Sequence, residues 1–140
     1  MTLGGLWVPC AYRVVAHSDG DIVLHAIMDA MLGALALGDI GQLFPDTDAS
    51  FQGADSAELT REVRRLCLAK GYSVSNLDVT ILCEVPKIGP IRETMRQCIA
   101  DVLETVVDQI SVKATTTEQL GFIGRGEGIA VMASVLMRAH

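Results

Sequence analysis

Between Asp19 and Leu37 the chain reads DGDIVLHAIMDAMLGALAL, and after Gly20 almost every position except Asp21, His25 and Asp29 is Ala, Ile, Leu, Met or Val. Those three exceptions are spaced by four residues, so at about 100° per residue they form one narrow polar stripe along a helix. A helix that is apolar everywhere else is stable only inside protein, and the rest of the chain must therefore wrap around it. Buried ionisable groups need partners, whether a metal, a ligand or each other. On pattern alone, a core histidine hydrogen-bonded by carboxylates and a metal ligand both remain open. One histidine is not a zinc site, because zinc takes three or four protein ligands dominated by Cys and His.

The flanking segments suggest how that wrapping is done. Residues 3–16 read as two short strands around Pro9, with Trp7, Val8, Tyr12, Val14 and Val15 as β-prone residues. Ser18 is expected to cap the helix of residues 19–37, answered by Asp21 in an S-x-x-D box, with the early aspartates suiting its positive end. A second, amphipathic helix is predicted from Asp55 to Lys70, closed by Gly71. Strands are predicted over Leu77–Cys83, Gln109–Thr116 and Ile129–Met137, and a third helix over Ile91–Val107. The order ββααβαββ implies an α/β (α+β) fold, a mixed β-sheet with helices packed on one face.

With 140 residues and no linker or repeat, one domain over residues 1–140 is expected. Hydrophobic residues make up 50% against 20% charged, so burial is expected to extend beyond one chain, through oligomerisation. The net charge of −6 and the absence of a basic track argue against nucleic acid as a partner. Apolar runs fall well short of the roughly 18 residues that span a bilayer, and the start shows no signal-sequence pattern, so no membrane partner is expected. Cys10, Cys67, Cys83 and Cys98 form no CxxC pair, which fits reduced thiols in a cytoplasmic protein.

Several short motifs have the residue types for chemistry. His17 stands beside the helix start, where an imidazole can meet an anion or simply face water. FPDTD, residues 44–48, can accept sugar hydroxyl hydrogens or merely form Asx turns. KATTTE, residues 113–118, offers hydroxyl and backbone donors followed by Glu118, an oxygen ligand suited to Mg²⁺ beside a phosphate; a threonine-rich strand end is the plain alternative. GFIGRGEGI, residues 121–129, flanks Arg125 with four glycines but is neither GxGxxG nor GxxxxGK[ST], so no common nucleotide fold is indicated. EVPKIGP, residues 84–90, is a proline-bracketed loop that can hold a planar base through its backbone or only turn the chain.

Taken in order and spacing, HSDGDxxLHAxxDAxLGAxALGDIG, FPDTD, FxGADS and KATTTExLGFxGRGEGIA closely resemble the 2-C-methyl-D-erythritol 2,4-cyclodiphosphate synthase family, from about Leu3 to the C-terminus. The resemblance implies a phosphorus–oxygen lyase of non-mevalonate isoprenoid biosynthesis. It would convert 4-diphosphocytidyl-2-C-methyl-D-erythritol 2-phosphate to the 2,4-cyclodiphosphate and release CMP. It further implies a homotrimer with active sites at subunit interfaces, a zinc ion held by Asp, His and His, and Mg²⁺ or Mn²⁺ bridging the α- and β-phosphates. By position, His25 corresponds to a zinc ligand and Glu118 to the carboxylate near the second metal. His17 and Thr116, the implied catalytic groups, correspond with Ser18 to contacts that bind phosphate and stabilise the transition state. Asp39, Ile40 and Gly41, and the run Phe44, Pro45, Asp46, Thr47 and Asp48, correspond to segments contacting the sugar and methylerythritol hydroxyls. The cytidine and diphosphate pocket corresponds to Cys83, Glu84, Val85, Pro86, Lys87, Ile88 and Gly89 with Thr115, Thr116 and Thr117, and the remaining ligand contacts to Phe122 and Arg125.

The departure from the family lies ahead of Gly4-Gly5. There the family carries a G-x-D-x-H-x-F segment that supplies the other two zinc ligands, and here only His25 of the three is present. The expectation is that the natural protein has an upstream segment with these ligands; the location is then cytoplasmic in a bacterium, or a plastid stroma where that segment includes a leader. The alternative function is a non-catalytic trimer that binds a nucleotide or isoprenoid diphosphate without the zinc site. A small metal-dependent phosphohydrolase is a third reading, disfavoured by the lack of further His and Asp clusters.

Overall fold

A computed structural model describes residues 1–140. The elements in chain order are β1 (Thr2–Leu3), β2 (Leu6–Trp7), α1 (Ile22–Ala34), α2 (Ile40–Leu43), α3 (Ser56–Ala69), β3 (Tyr72–Leu82), α4 (Arg92–Leu103), β4 (Ile110–Thr115), α5 (Gly121–Gly124) and β5 (Ala130–Ala139). The apolar helix is α1, and Val23, Leu24, Ile27, Met28, Met31 and Leu32 are all buried. Full burial of side chains this size contributes about 1.5–3 kcal/mol each, so α1 is the central stabilising element.

The main sheet has the order β4-β3-β5, with β3 parallel to β4 and antiparallel to β5, which makes it mixed as expected. Side chains alternate across it. Leu77, Val79, Ile81, Ile110 and Val112 are buried, and Val131, Ala133, Val135 and Met137 pack against the same core. Val63 and Cys67 of α3 and Met95 and Ile99 of α4 join α1 on that side, so the helices share one face of the sheet. The opposite face leaves Met132 and Leu136 61% and 60% exposed.

Several boundaries differ from the sequence reading. Helix α1 starts at Ile22 and its cap is Asp21, not Ser18: Gly20, with φ +74°, breaks the chain after Ser18, and the Asp21 carboxylate accepts the Leu24 N–H. It ends at Ala34 because Ala36 turns left-handed at φ 55°, and the Leu37 and Ala36 N–H groups close back on the Leu32 and Gly33 carbonyls. Residues 3–16 hold only the two-residue strands β1 and β2; Pro9 offers no N–H for a ladder, and the chain beyond exposes Tyr12 and Val15. Strand β3 begins at Tyr72, five residues before Leu77, because β5 pairs with it as far as Ala139 across an irregularity at Val74/Asn76. Helix α4 stops at Leu103, where Glu104 adopts φ 51°. No helix is long and apolar enough to cross a membrane.

Candidate active site

Two aspartates at helix starts shape the first cluster. Asp21 is fully buried and accepts three backbone N–H groups, from Gly4 at 2.8 Å, Gly5 at 2.7 Å and Leu24 at 3.0 Å, tying the N-terminal hairpin to α1. Burial pushes its carboxyl above the usual carboxylate range, while the bonds from Leu24, Gly5 and Gly4 pull the other way. Asp29 accepts the Ile40 N–H at 2.9 Å and so anchors the start of α2, whose own cap Asp39 accepts from Gln42 N. Two members of the polar stripe on α1 are thus structural. His25, half-buried, is the member of the stripe that lines a cavity.

His17, Ser18, His25, Ile40, Gly41, Phe44 and Asp46 line one cavity of about 270 Å³, with Ala16, Phe51 and Leu59. Phe44 and Phe51 meet edge to face at 5.3 Å and form its apolar side. His17 Nε2 is buried without a hydrogen-bond partner in the chain, and an unsatisfied buried group of this kind costs about 1–3 kcal/mol unless a ligand meets it. Asp46 is exposed and unpaired, whereas Asp48 is occupied: it accepts from the Ser50 N–H and hydroxyl, which holds its carboxyl below the usual range. Pro45 is half-buried and Thr47 exposed, in the turn where Asp48 N bonds the Pro45 carbonyl.

The second cluster follows from the parallel pairing of β3 and β4. Strands running the same way release their next loops at the same edge, so residues 83–89 and 116–120 emerge together. Glu84 fastens them: its Oε1 accepts the Thr117 N–H at 3.3 Å and the Gln119 N–H at 3.2 Å. Glu118 and Gln119 consequently sit in the left-handed region, at φ 53° and 65°, and the Glu118 carboxylate has no partner in the chain. Cys83 and Ile88 are buried, the Cys83 thiol donating to the Pro86 carbonyl, while Lys87 and Gly89 are exposed. Burial pushes the Cys83 thiol up, so it stays protonated and unreactive. Arg125, among its glycines, pairs with Glu127 at 2.8 Å, and Phe122 in the same segment is exposed.

None of residues 83–89 or 115–118 lines the His25 cavity. The sequence-derived residues therefore fall into two clusters within one chain. Three contributors went unnoticed as such in the sequence: Asp19 and Ser56, which stand behind His25, and Glu127. The helix-opening D-S pair at Asp55-Ser56 and the acidic residue two past Arg125 were the available signals.

The fit to metals differs between the clusters. No three His, Cys, Asp or Glu side chains converge anywhere in the chain, and His25 Nε2 is already engaged by Ser18 and Ser56 hydroxyls. One imidazole does not hold a catalytic zinc, so these residues by themselves do not fit that ion. The unpaired Glu118 carboxylate beside three threonines does fit a Mg²⁺-type cation, which binds through one or two carboxylates plus substrate phosphates.

Residues 1–138 match the YgbB family. The chain belongs to the YgbB family. Among its relatives are 2-C-methyl-D-erythritol 2,4-cyclodiphosphate synthases of Acinetobacter baylyi, 58% identical over 137 residues, and of Shewanella frigidimarina, 58% identical over 140 residues. The alignments cover 98% and 100% of this chain, and 84% and 88% of those proteins. Among solved structures, the bifunctional IspDF of Campylobacter jejuni superposes with a TM-score of 0.96 at 41% identity, over 100% of this chain and 38% of that one. The Plasmodium falciparum IspF in complex with CDP superposes with a TM-score of 0.88 at 40% identity, over 99% of this chain and 83% of that one. The YgbB chain thus shares the mixed α/β fold of proteins solved as this synthase.

Proposed function

We propose that this YgbB chain is a 2-C-methyl-D-erythritol 2,4-cyclodiphosphate synthase acting on 4-diphosphocytidyl-2-C-methyl-D-erythritol 2-phosphate. The observation that carries the reading is the His17–Ser18–His25–Asp46 cavity, with its buried unpartnered His17 Nε2, in a chain that aligns with named synthases over nearly its whole length.

In this reaction a 2-phosphate oxygen attacks the β-phosphorus, the bond from that phosphorus to the CMP oxygen breaks, and CMP leaves with the bonding electrons. The nucleophile is already an anion, so positioning and charge neutralisation carry the rate rather than a strong general base. His17 and Ser18 hold the attacking phosphate, Asp46 and the α2 start hold hydroxyls, and the loops of residues 83–89 and 115–118 with Lys87 and Arg125 hold the cytidine diphosphate. A Mg²⁺ or Mn²⁺ at Glu118 would neutralise charge on the diphosphate as CMP leaves. Zinc needs ligands beyond His25, so no step here depends on it. Because the two clusters are separate in one chain, the complete site forms where subunits of a homotrimer meet. The exposed Met132 and Leu136 on the helix-free sheet face support that association.

The test is CMP release from the cytidylated substrate with Mg²⁺ and Zn²⁺ present, for this chain and for the same chain preceded by the N-terminal segment of the Acinetobacter relative. Release by either supports the synthase. No release by both, together with CDP binding, replaces it with the non-catalytic nucleotide-binding trimer.

A further inference from the structure

His25 Nε2 lies 3.0 Å from the Ser56 hydroxyl and 3.2 Å from the Ser18 hydroxyl. Taken alone, those contacts leave open whether the nitrogen donates or accepts. The neighbouring proton decides it. Ser56 has a single hydroxyl hydrogen, and that hydrogen goes to Asp19 Oδ1 at 2.5 Å. The same carboxylate accepts the Ser56 N–H through Oδ2 at 2.9 Å and the Asp21 N–H through Oδ1 at 3.1 Å, so it is fixed from two segments. Ser56 itself is fully buried in the first turn of α3. With its hydrogen committed, Ser56 Oγ has only lone pairs to offer, and His25 Nε2 must carry a proton.

We propose that Asp19 and Ser56 are positioning residues that hold the His25 proton on Nε2 and present the Nδ1 lone pair as the ring's one free nitrogen. This rests on the reading that the cavity takes the phosphate-bearing end of the substrate. A lone pair at Nδ1 accepts a hydroxyl hydrogen or an electron-poor centre and repels a phosphate oxygen. The phosphate is then left to His17 and Ser18. Ser18 Oγ accepts the Gly20 N–H at 3.3 Å, and once Nε2 donates, the Ser18 hydroxyl hydrogen is free to point at an anion. A pair behind the cavity wall thereby sorts which ligand atoms each cavity residue can meet.

The chain has only three histidines, so ¹⁵N-edited two-bond correlation spectra of the ring nitrogens resolve the tautomer directly, with His25 assigned by its loss in His25→Gln. In the full chain, with chelator and at alkaline pH, His25 should show the Nε2–H pattern. Ser56→Ala should move it toward Nδ1–H and lower kcat about ten-fold while leaving KM within about two-fold, and Ser56→Thr, which keeps the hydroxyl, should restore both. An Nδ1–H pattern in the unsubstituted chain overturns the proposal, and that measurement stands even where Ser56→Ala does not fold. An unchanged pattern in folded Ser56→Ala overturns it too. An intact Nε2–H pattern in a chain that releases no CMP supports the proton assignment and counts against the synthase reading, so the two failures are distinct.

Discussion

Asp21 is where residue-scale physics is most exposed. It is a carboxylate with no solvent access, held by three N–H groups, and burial leaves its pKa raised in the folded chain. A raised folded value means the native state binds the proton more readily than the unfolded one. Its contribution to stability is fully present below the unfolded pKa and lost as pH rises through the folded value. Asp21→Asn should flatten that loss, seen as a shallower pH dependence of the denaturant midpoint through the weakly acidic range. It should also lower stability at acid pH, because its NH₂ group would face the Gly5 N–H. Asp21→Ala strands three donors and should cost about 3 kcal/mol, measurable by urea unfolding. His17, Ser18, His25, Ile40, Gly41, Phe44 and Asp46 were legible as site candidates and do share a cavity. The role of Asp21 was half legible: its place at the helix start was visible, its hold on Gly4 and Gly5 was not.

At the scale of elements, the loop pair after β3 and β4 depends on one side chain and one close packing. Glu84→Ala removes the acceptor for the Thr117 and Gln119 N–H groups and should loosen residues 116–120. The expected result is faster hydrogen exchange at those two amides and a loss of about 1–2 kcal/mol, with KM for the cytidylated substrate raised. Gly124→Ala acts on the same loop from the other side. A Cβ there would lie 2.2 Å from the Gln119 carbonyl carbon, backbone that cannot step aside, so a drop of several degrees in Tm is expected by thermal scanning. Helix and strand types were readable from periodicity, but their ends were less so. Ala36 and Glu104 take left-handed backbone without being glycine, and the start of β3 depends on how far β5 runs beside it. Neither is written in local residue preference.

For the whole molecule, the one-sided sheet is the governing fact. Helices cover one face, and the other presents Met132 and Leu136 to solvent in a single chain. On the homotrimer reading, Leu136→Glu places a charge against that face. It should shift the light-scattering mass in solution from three chains toward one while far-UV circular dichroism stays unchanged. Persistence of the trimer in that variant would move the interface elsewhere. The apolar composition had pointed to burial beyond one chain, and the exposed face is consistent with where that burial would occur.

The sequence by itself determined what depends on neighbours a few residues apart. That includes the buried helix, from an apolar run whose charged or imidazole exceptions are Asp21, His25 and Asp29, and the strand over Leu77–Cys83, from its alternation. Tertiary structure alone decided which distant groups meet: Asp19 with Ser56, 37 positions on, Glu84 with Thr117, 33 on, and Asp21 with Gly4. The physical reason is that a helix or strand is selected by local periodicity and backbone preference, whereas a hydrogen bond between segments exists only once packing has brought a donor within about 3 Å of its acceptor.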